Sequence, residues 1–525
     1  MCMRAPMIAH PVHHVTPQIA SRSNAKHFRI LFVIAIVLIA FTVRVAYLEA
    51  PSFWVDEAYS REWSLMQPSA MIADLAFDHV PLYYLILHVW VKLTGLSVFS
   101  LRALSTLLGT LVVAQLYVLG KRLSHEKVGQ TAALLAAVSP FLVFYSRMAR
   151  PYPLLWFLTL WAINTYLWAL KDRRWRSWIL YAVVASTAAY THFTALAVLG
   201  FLGLHALLHW KQLRPQLPQW ILAHGLLVAT FAPFLNKLFH LVASDSSVIV
   251  SRGALTPWYL ADIFVSWNLG HAFGVTTKLS FGLTVISFGV LAVIGMTSAK
   301  LYDHITQWRS HAATTDSSIW SLFWEESTLL LGCLLSPLVL GVIAKLLSPD
   351  TLAFSPRSLS VGALPYYLLL ARGIQRLKPS LVRRCVRVGC VLVMLVAVGL
   401  SVDKGGGINW RWVAEHIQRQ EQPDDVILVI PSGNYLSALE TYYTGTATLQ
   451  QKEYNSLNME NVDDYLAPVL GFERLWLITI NDAQFDPQNM IGEWLATRCT
   501  LQEQEMLIPK HAQMRLYGQC NWSMP

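Results

Sequence analysis

Charge is what this sequence has least of: Asp, Glu, Lys and Arg make up 14% of its 525 residues, against about a quarter in an ordinary soluble chain. Acids are the scarcer sign, 31 against 40 Lys and Arg. Together with 55% hydrophobic residues and a mean hydropathy of +0.44, that scarcity excludes a large soluble enzyme and puts most of the chain in lipid. Cysteine is sparse too. The six cysteines form no CxxC pair and no zinc-type spacing, which excludes a dithiol redox motif and a structural zinc module. Cys333, Cys385 and Cys390 fall in apolar stretches, where cysteine is a packing residue. Cys499 and Cys520 share the C-terminal region and would pair if that region faces an oxidising compartment. Internal repeats, coiled-coil heptads and low-complexity tracts are all missing, so a transporter built from two related halves finds no support. The net charge of +9 could suggest nucleic acid. The basic residues instead sit in short clusters between apolar runs, the loop bias of membrane proteins, and no nucleic-acid partner is expected.

A membrane span needs roughly 20 mostly apolar residues. On that measure about eleven spanning helices are expected, near 29–48, 99–119, 128–146, 151–170, 178–191, 193–210, 219–236, 279–298, 328–347, 358–374 and 386–402. The segment 81–96 is rich in aromatics and carries His88 and Lys92, which fits an interfacial helix. Arg4, Arg22, Lys26 and Arg29 place the N-terminal tail, 1–28, in the cytoplasm. With 81–96 lying in the interface, the clusters Lys121-Arg122, Lys171 to Arg176, Lys211 to Arg214, Lys300 to Arg309 and Arg372 to Arg387 all fall inside as well. The outer side then receives 49–98, the turn 147–150, the loops 237–278 and 348–357, and everything after residue 402. That tail, 403–525, has a different texture. DDVILVI (424–430) and RLWLITI (474–480) read as buried strands and WRWVAEHIQRQ (410–420) as a helix, which is the pattern of a small α/β domain.

Three groups of residues carry chemistry. Phe53-Trp54-Val55-Asp56-Glu57-Ala58 lies just past the outer end of the first helix. Adjacent carboxylates at a membrane boundary are costly when desolvated, so they mark either a site open to water or a helix start in which Asp56 satisfies free backbone amides. Asp78-His79-Val80-Pro81-Leu82-Tyr83-Tyr84 adds a second acid and an imidazole in the same outer loop, enough for a base or for a divalent-ion site built from Asp56, Glu57, Asp78 and His79. Arg147 and Arg150, His192 and Arg357 sit at outer helix ends in short turns poor in acids. Snorkelling accounts for one such arginine, and arginine also holds phosphate through two parallel hydrogen bonds.

In this order the motifs resemble the GT-C glycosyltransferases of the protein O-mannosyltransferase and lipid A aminoarabinose transferase type, and their bacterial mannosyltransferase-like relatives. The matching segments are Trp54 to Ala58, Asp78 to Tyr84, Ser146 to Tyr152, Thr191 to Thr194, Ser355-Pro356-Arg357 through Gly373, and Asn409-Trp410-Arg411 followed by Asp425 to Pro431. Two positions depart from the family pattern: His79-Val80-Pro81 stands for His-Pro-Pro, and Met148 stands where a carboxylate is common. The resemblance implies an α-helical polytopic membrane protein with its transferase domain over 29–402 and a small extracytoplasmic α/β domain over 403–525. It implies a glycosyltransferase of the cell membrane, working on the periplasmic face from a polyprenyl-phosphate sugar to a lipid, glycan or protein acceptor. Asp56 takes the catalytic role. Arg150 and Arg357 hold the donor phosphate, Glu57, Asp78 and His79 position the acceptor or a divalent ion, and His192, Tyr83 and Trp54 are candidate substrate contacts. The rival readings are a flippase-like transporter and a non-catalytic binder of lipid-linked sugar.

Overall fold

The computed structural model describes residues 17–75, 79–237, 257–270, 282, 288–296, 326–347, 355–401, 407–450, 462–480, 486, 488–508 and 511–522. Ten helices open the chain: α1 (Pro17–Val45), α2 (Val55–Leu65), α3 (Pro68–Asp74), α4 (Leu82–Thr94), α5 (Val98–Leu123), α6 (Glu126–Val138), α7 (Pro140–Ser146), α8 (Tyr152–Asp172), α9 (Trp175–Ala189) and α10 (Ala195–Leu208). Among the described residues, four of the expected spans are long and apolar enough to cross a membrane: Val98–Leu123, Tyr152–Asp172, Trp210–Lys237 and Ser327–Leu346. The pair α6 and α7, bent by 59°, makes a fifth if taken as one broken span. Helices α9 (15 residues) and α10 (14 residues) fall short of the roughly 20 that a straight span needs, and half of 279–298 lies outside the described residues. Helix α4 has 13 residues, about 20 Å of helix against a hydrocarbon core of about 30 Å. It is too short to span.

The bend between α6 and α7 follows from the sequence. Pro140 has no N–H to give to Ala136, so the helix breaks and Ser139 restarts it, its Oγ accepting from Leu142 N at 3.2 Å. The freed carbonyls are taken by Arg44 of α1. This fully buried arginine donates to Ala137 O at 2.9 Å and Ala136 O at 3.0 Å, so a cation inside the bundle serves as a helix cap. Gly109 of α5 lies against α7, where a Cβ would come within 2.1 Å of Ser146 Oγ. Only glycine lets those two helices approach that far.

The C-terminal region is a five-stranded sheet in the order β2-β1-β3-β5-β4, with β1 (Val426–Ile430), β2 (Thr448–Gln450), β3 (Leu475–Ile480), β4 (Thr500–Ile508) and β5 (Ala512–Gly518). Strand β1 pairs in parallel with β2 and β3, and β5 pairs antiparallel with β3 and β4. Alternate β1 residues serve opposite layers. Ile427 and Val429 join the core containing Trp410, Val413 and Ile417, while Val426, Leu428 and Ile430 pack with Met490, Ile491 and Leu495. Burial on both faces explains why β1 and β3 read as unbroken apolar runs. Cys499 and Cys520 are disulfide-bonded. The domain docks on the first loop through polar contacts. Phe53 N donates to Tyr442 Oη at 2.8 Å, Arg411 Nη2 donates to Glu49 O at 2.8 Å, and the Arg411 guanidinium lies 5.1 Å from the Tyr442 ring centre.

Candidate active site

Helix α2 begins at Val55, so Asp56 and Glu57 share its first turn, where carboxylates meet the positive end of the helix dipole. Consecutive helical residues point about 100° apart, and the two acids therefore face different surroundings. Asp56 turns towards the Ser355–Leu359 turn. Arg357 Nη1 donates to Asp56 Oδ2 at 2.6 Å, and Arg150 Nη2 lies 3.9 Å from the same oxygen. Arg150 Nη1 also donates to the Asp56 carbonyl at 2.8 Å, which fixes the guanidinium against the first turn of α2. Burial pushes the Asp56 carboxyl pKa up, but the charges of Arg357, Arg150 and His79 outweigh it and hold the carboxyl below its usual value. The carboxylate is ionised and still partly open, with 20% of its side chain exposed.

The other expected residues gather around this pair. Arg150 Nη2 donates to His79 Nε2 at 3.2 Å, and the His79 ring meets the Trp63 ring edge-on at 5.0 Å. The Arg357 guanidinium lies 5.3 Å from the Trp54 ring centre, a cation–π contact. Burial disfavours the Arg357 cation, but Tyr152, Asp56 and Tyr145 around it more than restore it, and its pKa lies above the ordinary arginine value. His192 is one aromatic ring further out. Its ring centre is 6.0 Å from that of Tyr152, and its Nδ1 accepts from Thr194 N at 3.3 Å. Asp56, His79, Arg150, Arg357 and Trp54 thus form one site, with His192 at its edge.

Two expected residues stand apart from this site. Glu57 is fully buried, and its oxygens accept four N–H donors: Arg102 Nε at 2.9 Å, Arg102 Nη2 at 2.7 Å, Trp54 N at 3.1 Å and Ala149 N at 2.9 Å. A carboxylate so saturated cannot reach an acceptor or an ion. Tyr83 is also fully buried. Its hydroxyl pairs with Ser105 Oγ at 2.9 Å, and Ser105 donates to Arg150 O at 3.0 Å, so Tyr83 supports the Arg150 turn. Asp78 lies outside the described residues. Among the described residues no group of three His, Cys, Asp or Glu side chains could hold a metal ion. The described candidates also do not fit one, because Asp56 faces two arginines and Glu57 is spent on Arg102.

The sequence reading missed Arg102. Besides Glu57 it serves the carbonyls of Leu48, Pro51 and Ser52 at 2.8, 2.9 and 3.1 Å, so it folds the loop that delivers α2. Its signal was a lone cation four residues into a long apolar helix, which needs a buried partner.

The chain is similar to known proteins in sequence family and in fold. The family model of dolichyl-phosphate-mannose-protein mannosyltransferases matches residues 78–236, a stretch that holds His79, Arg150 and His192. Among solved structures, ArnT from Cupriavidus metallidurans bound to undecaprenyl phosphate superposes over 94% of this chain and 98% of that one, with a TM-score of 0.58 at 12% identity. The chain has the GT-C fold. An Archaeoglobus fulgidus oligosaccharyltransferase tethered to an acceptor peptide is similar to this chain over 95% of its length and 75% of the other, with a TM-score of 0.50 at 12% identity. No curated protein matches it in sequence.

Proposed function

We propose that this chain is a glycosyltransferase that moves a sugar from a polyprenyl-phosphate donor to an acceptor hydroxyl at the outer face of the cell membrane. The observation that carries the reading is the convergence of Arg357 and Arg150 on a partly open carboxylate, Asp56. Two cations and one anion suit a reaction in which a phosphate leaves and a proton is taken up. The acceptor oxygen attacks the anomeric carbon with inversion as its proton passes to Asp56. The bond from that carbon to the phosphate oxygen breaks, and polyprenyl phosphate departs with its charge held by Arg357 and Arg150, worth roughly 3 kcal/mol for each donor. The leaving phosphate needs no protonation, so one carboxylate is enough, unlike the paired acids of glycoside hydrolases.

The contact between Arg357 and Asp56 supports an order of events. Without donor, the arginine holds the carboxylate as a weak base. A donor phosphate competes for that guanidinium, and Asp56 gains basicity as its counter-ion turns to the phosphate. His79 and Trp54 lie against Arg150 and Arg357 and contact the acceptor or the sugar ring. The undecaprenyl phosphate in the similar ArnT structure supports a donor of this class, and the disulfide between Cys499 and Cys520 supports an extracytoplasmic C-terminal domain.

The sugar can be identified by mass spectrometry of the cell envelope from a strain lacking the protein. With that donor in hand, purified Asp56→Asn is expected to bind undecaprenyl phosphate like the wild type and to lose transfer at least ~100-fold. Undiminished turnover removes Asp56 from the reaction. Tight lipid binding without turnover in the wild-type protein makes the chain a binder of lipid-linked sugar.

A further inference from the structure

Away from Asp56, α5 and α8 carry matching stripes of side chains. Leu111, Gln115, Val118 and Arg122 recur at four, three and four residues along α5, which is one helix face. Phe157, Trp161, Asn164 and Trp168 do the same along α8. Between the stripes runs an open groove of about 460 Å³ with no acidic residue in its lining. Leu111, Val118, Trp161 and Trp168 are all exposed in its walls.

The polar groups in the groove are unusual for their depth. An arginine near the end of a span ordinarily extends towards water. Arg122 instead turns back along the bundle and donates to Asn164 O at 2.7 Å, roughly two turns short of the end of α8. Beside it, Asn164 Nδ2 donates to Gln115 Oε1 at 3.3 Å, which leaves Gln115 its N–H donors. The groove therefore offers donors and a cation to an amphipathic occupant that brings acceptors and an anion. The rim adds to the field. Lys171, Arg173, Arg174 and Arg176 follow on the turn into α9 with Asp172 as the acid among them, and Lys121 is paired with Glu126 at 2.9 Å. A zwitterionic headgroup would bring an ammonium into that cationic rim. An anionic one would not.

We propose that this groove binds an anionic phospholipid of the phosphatidylglycerol class. Its phosphate rests on the Arg122 guanidinium, an ester carbonyl accepts from Gln115, and an acyl chain lies along Leu111, Phe157 and Trp161. The site is independent of sugar transfer. The test uses the full-length protein, delipidated in detergent and titrated with phosphatidylglycerol or phosphatidylcholine under native mass spectrometry. Phosphatidylglycerol should be retained in preference to phosphatidylcholine, and Arg122→Gln should weaken that retention roughly tenfold, the size of one lost charge-assisted hydrogen bond. Leu111→Trp, which fills the groove and leaves the charge in place, should weaken it as well. Equal retention of the two lipids by the wild type, or undiminished phosphatidylglycerol binding in both variants, overturns the proposal. So does displacement of the bound lipid by equimolar undecaprenyl phosphate.

Discussion

Two arginine–carboxylate pairs start one residue apart on α2 and end in opposite environments. The Glu57 and Arg102 side chains are 0% and 2% exposed and share two hydrogen bonds, with every further donor of the arginine spent on loop carbonyls. The Asp56 and Arg357 side chains are 20% and 19% exposed and share one. In the first pair, removal of either partner strands a charge in a dry interior. In the second, the partners can be parted by a ligand that offers the arginine a phosphate and the carboxylate a proton. On the proposed reading, saturation marks scaffold and incomplete pairing marks chemistry, although the two acids are neighbours of similar type.

The largest expected effect that would break this comparison is on stability. Glu57→Ala should lose about 3–5 kcal/mol, the usual cost of removing one member of a buried pair, read as a lowered midpoint of unfolding in detergent. Asp56→Asn should unfold close to the wild-type midpoint. If the two variants lose the same stability, Glu57 is no more structural than its neighbour. The next effect is on turnover. Arg357→Gln should cost about two orders of magnitude in kcat/KM for the donor, equivalent to roughly 3 kcal/mol of charge stabilisation, with undecaprenyl phosphate binding weakened in parallel. Weaker acceptor binding with unchanged donor binding would move Arg357 out of the phosphate site.

The comparison also shows where sequence reasoning reaches and where it stops. Apolar run length marked the spans at 98–123 and 152–172 and the strands at 426–430 and 475–480, because a lipid-facing helix and a strand buried on both faces each leave a direct trace in composition. Asp56, Arg150 and Arg357 were legible as charges placed at costly boundaries, yet 301 residues separate Asp56 from Arg357, and only the fold brings them together. Glu57 and Tyr83 lie away from the Asp56 side of the site for one reason. A residue's place in a motif gives no rotation about its helix axis, and a turn of 100° decides between site and core. Arg102 escaped because its partner lies 45 residues earlier, beyond any local pattern. The bend at Pro140 was not expected, since 128–146 read as one span across it, and neither was its cap, Arg44.

The smallest effect is the sharpest, because it probes the Asp56 and Arg357 pair without removing the base. A depressed carboxyl pKa means that Asp56 stays ionised through the range where an ordinary aspartate protonates, near its usual value of 3.8, and loses its basic form only at lower pH. Since kcat/KM reports the free enzyme, its acid limb should lie below that value in the wild type. Burial alone would raise the pKa, and Arg357 supplies the largest opposing charge. Arg357→Gln should therefore move the acid limb to higher pH, while a charge change at the remote Arg122 should leave it in place. The limb is read from initial rates across an acid pH series, with activity recovered at neutral pH as the control for unfolding. A limb that stays fixed when Arg357 is neutralised would mean that the titrating base is not the carboxylate this arginine holds.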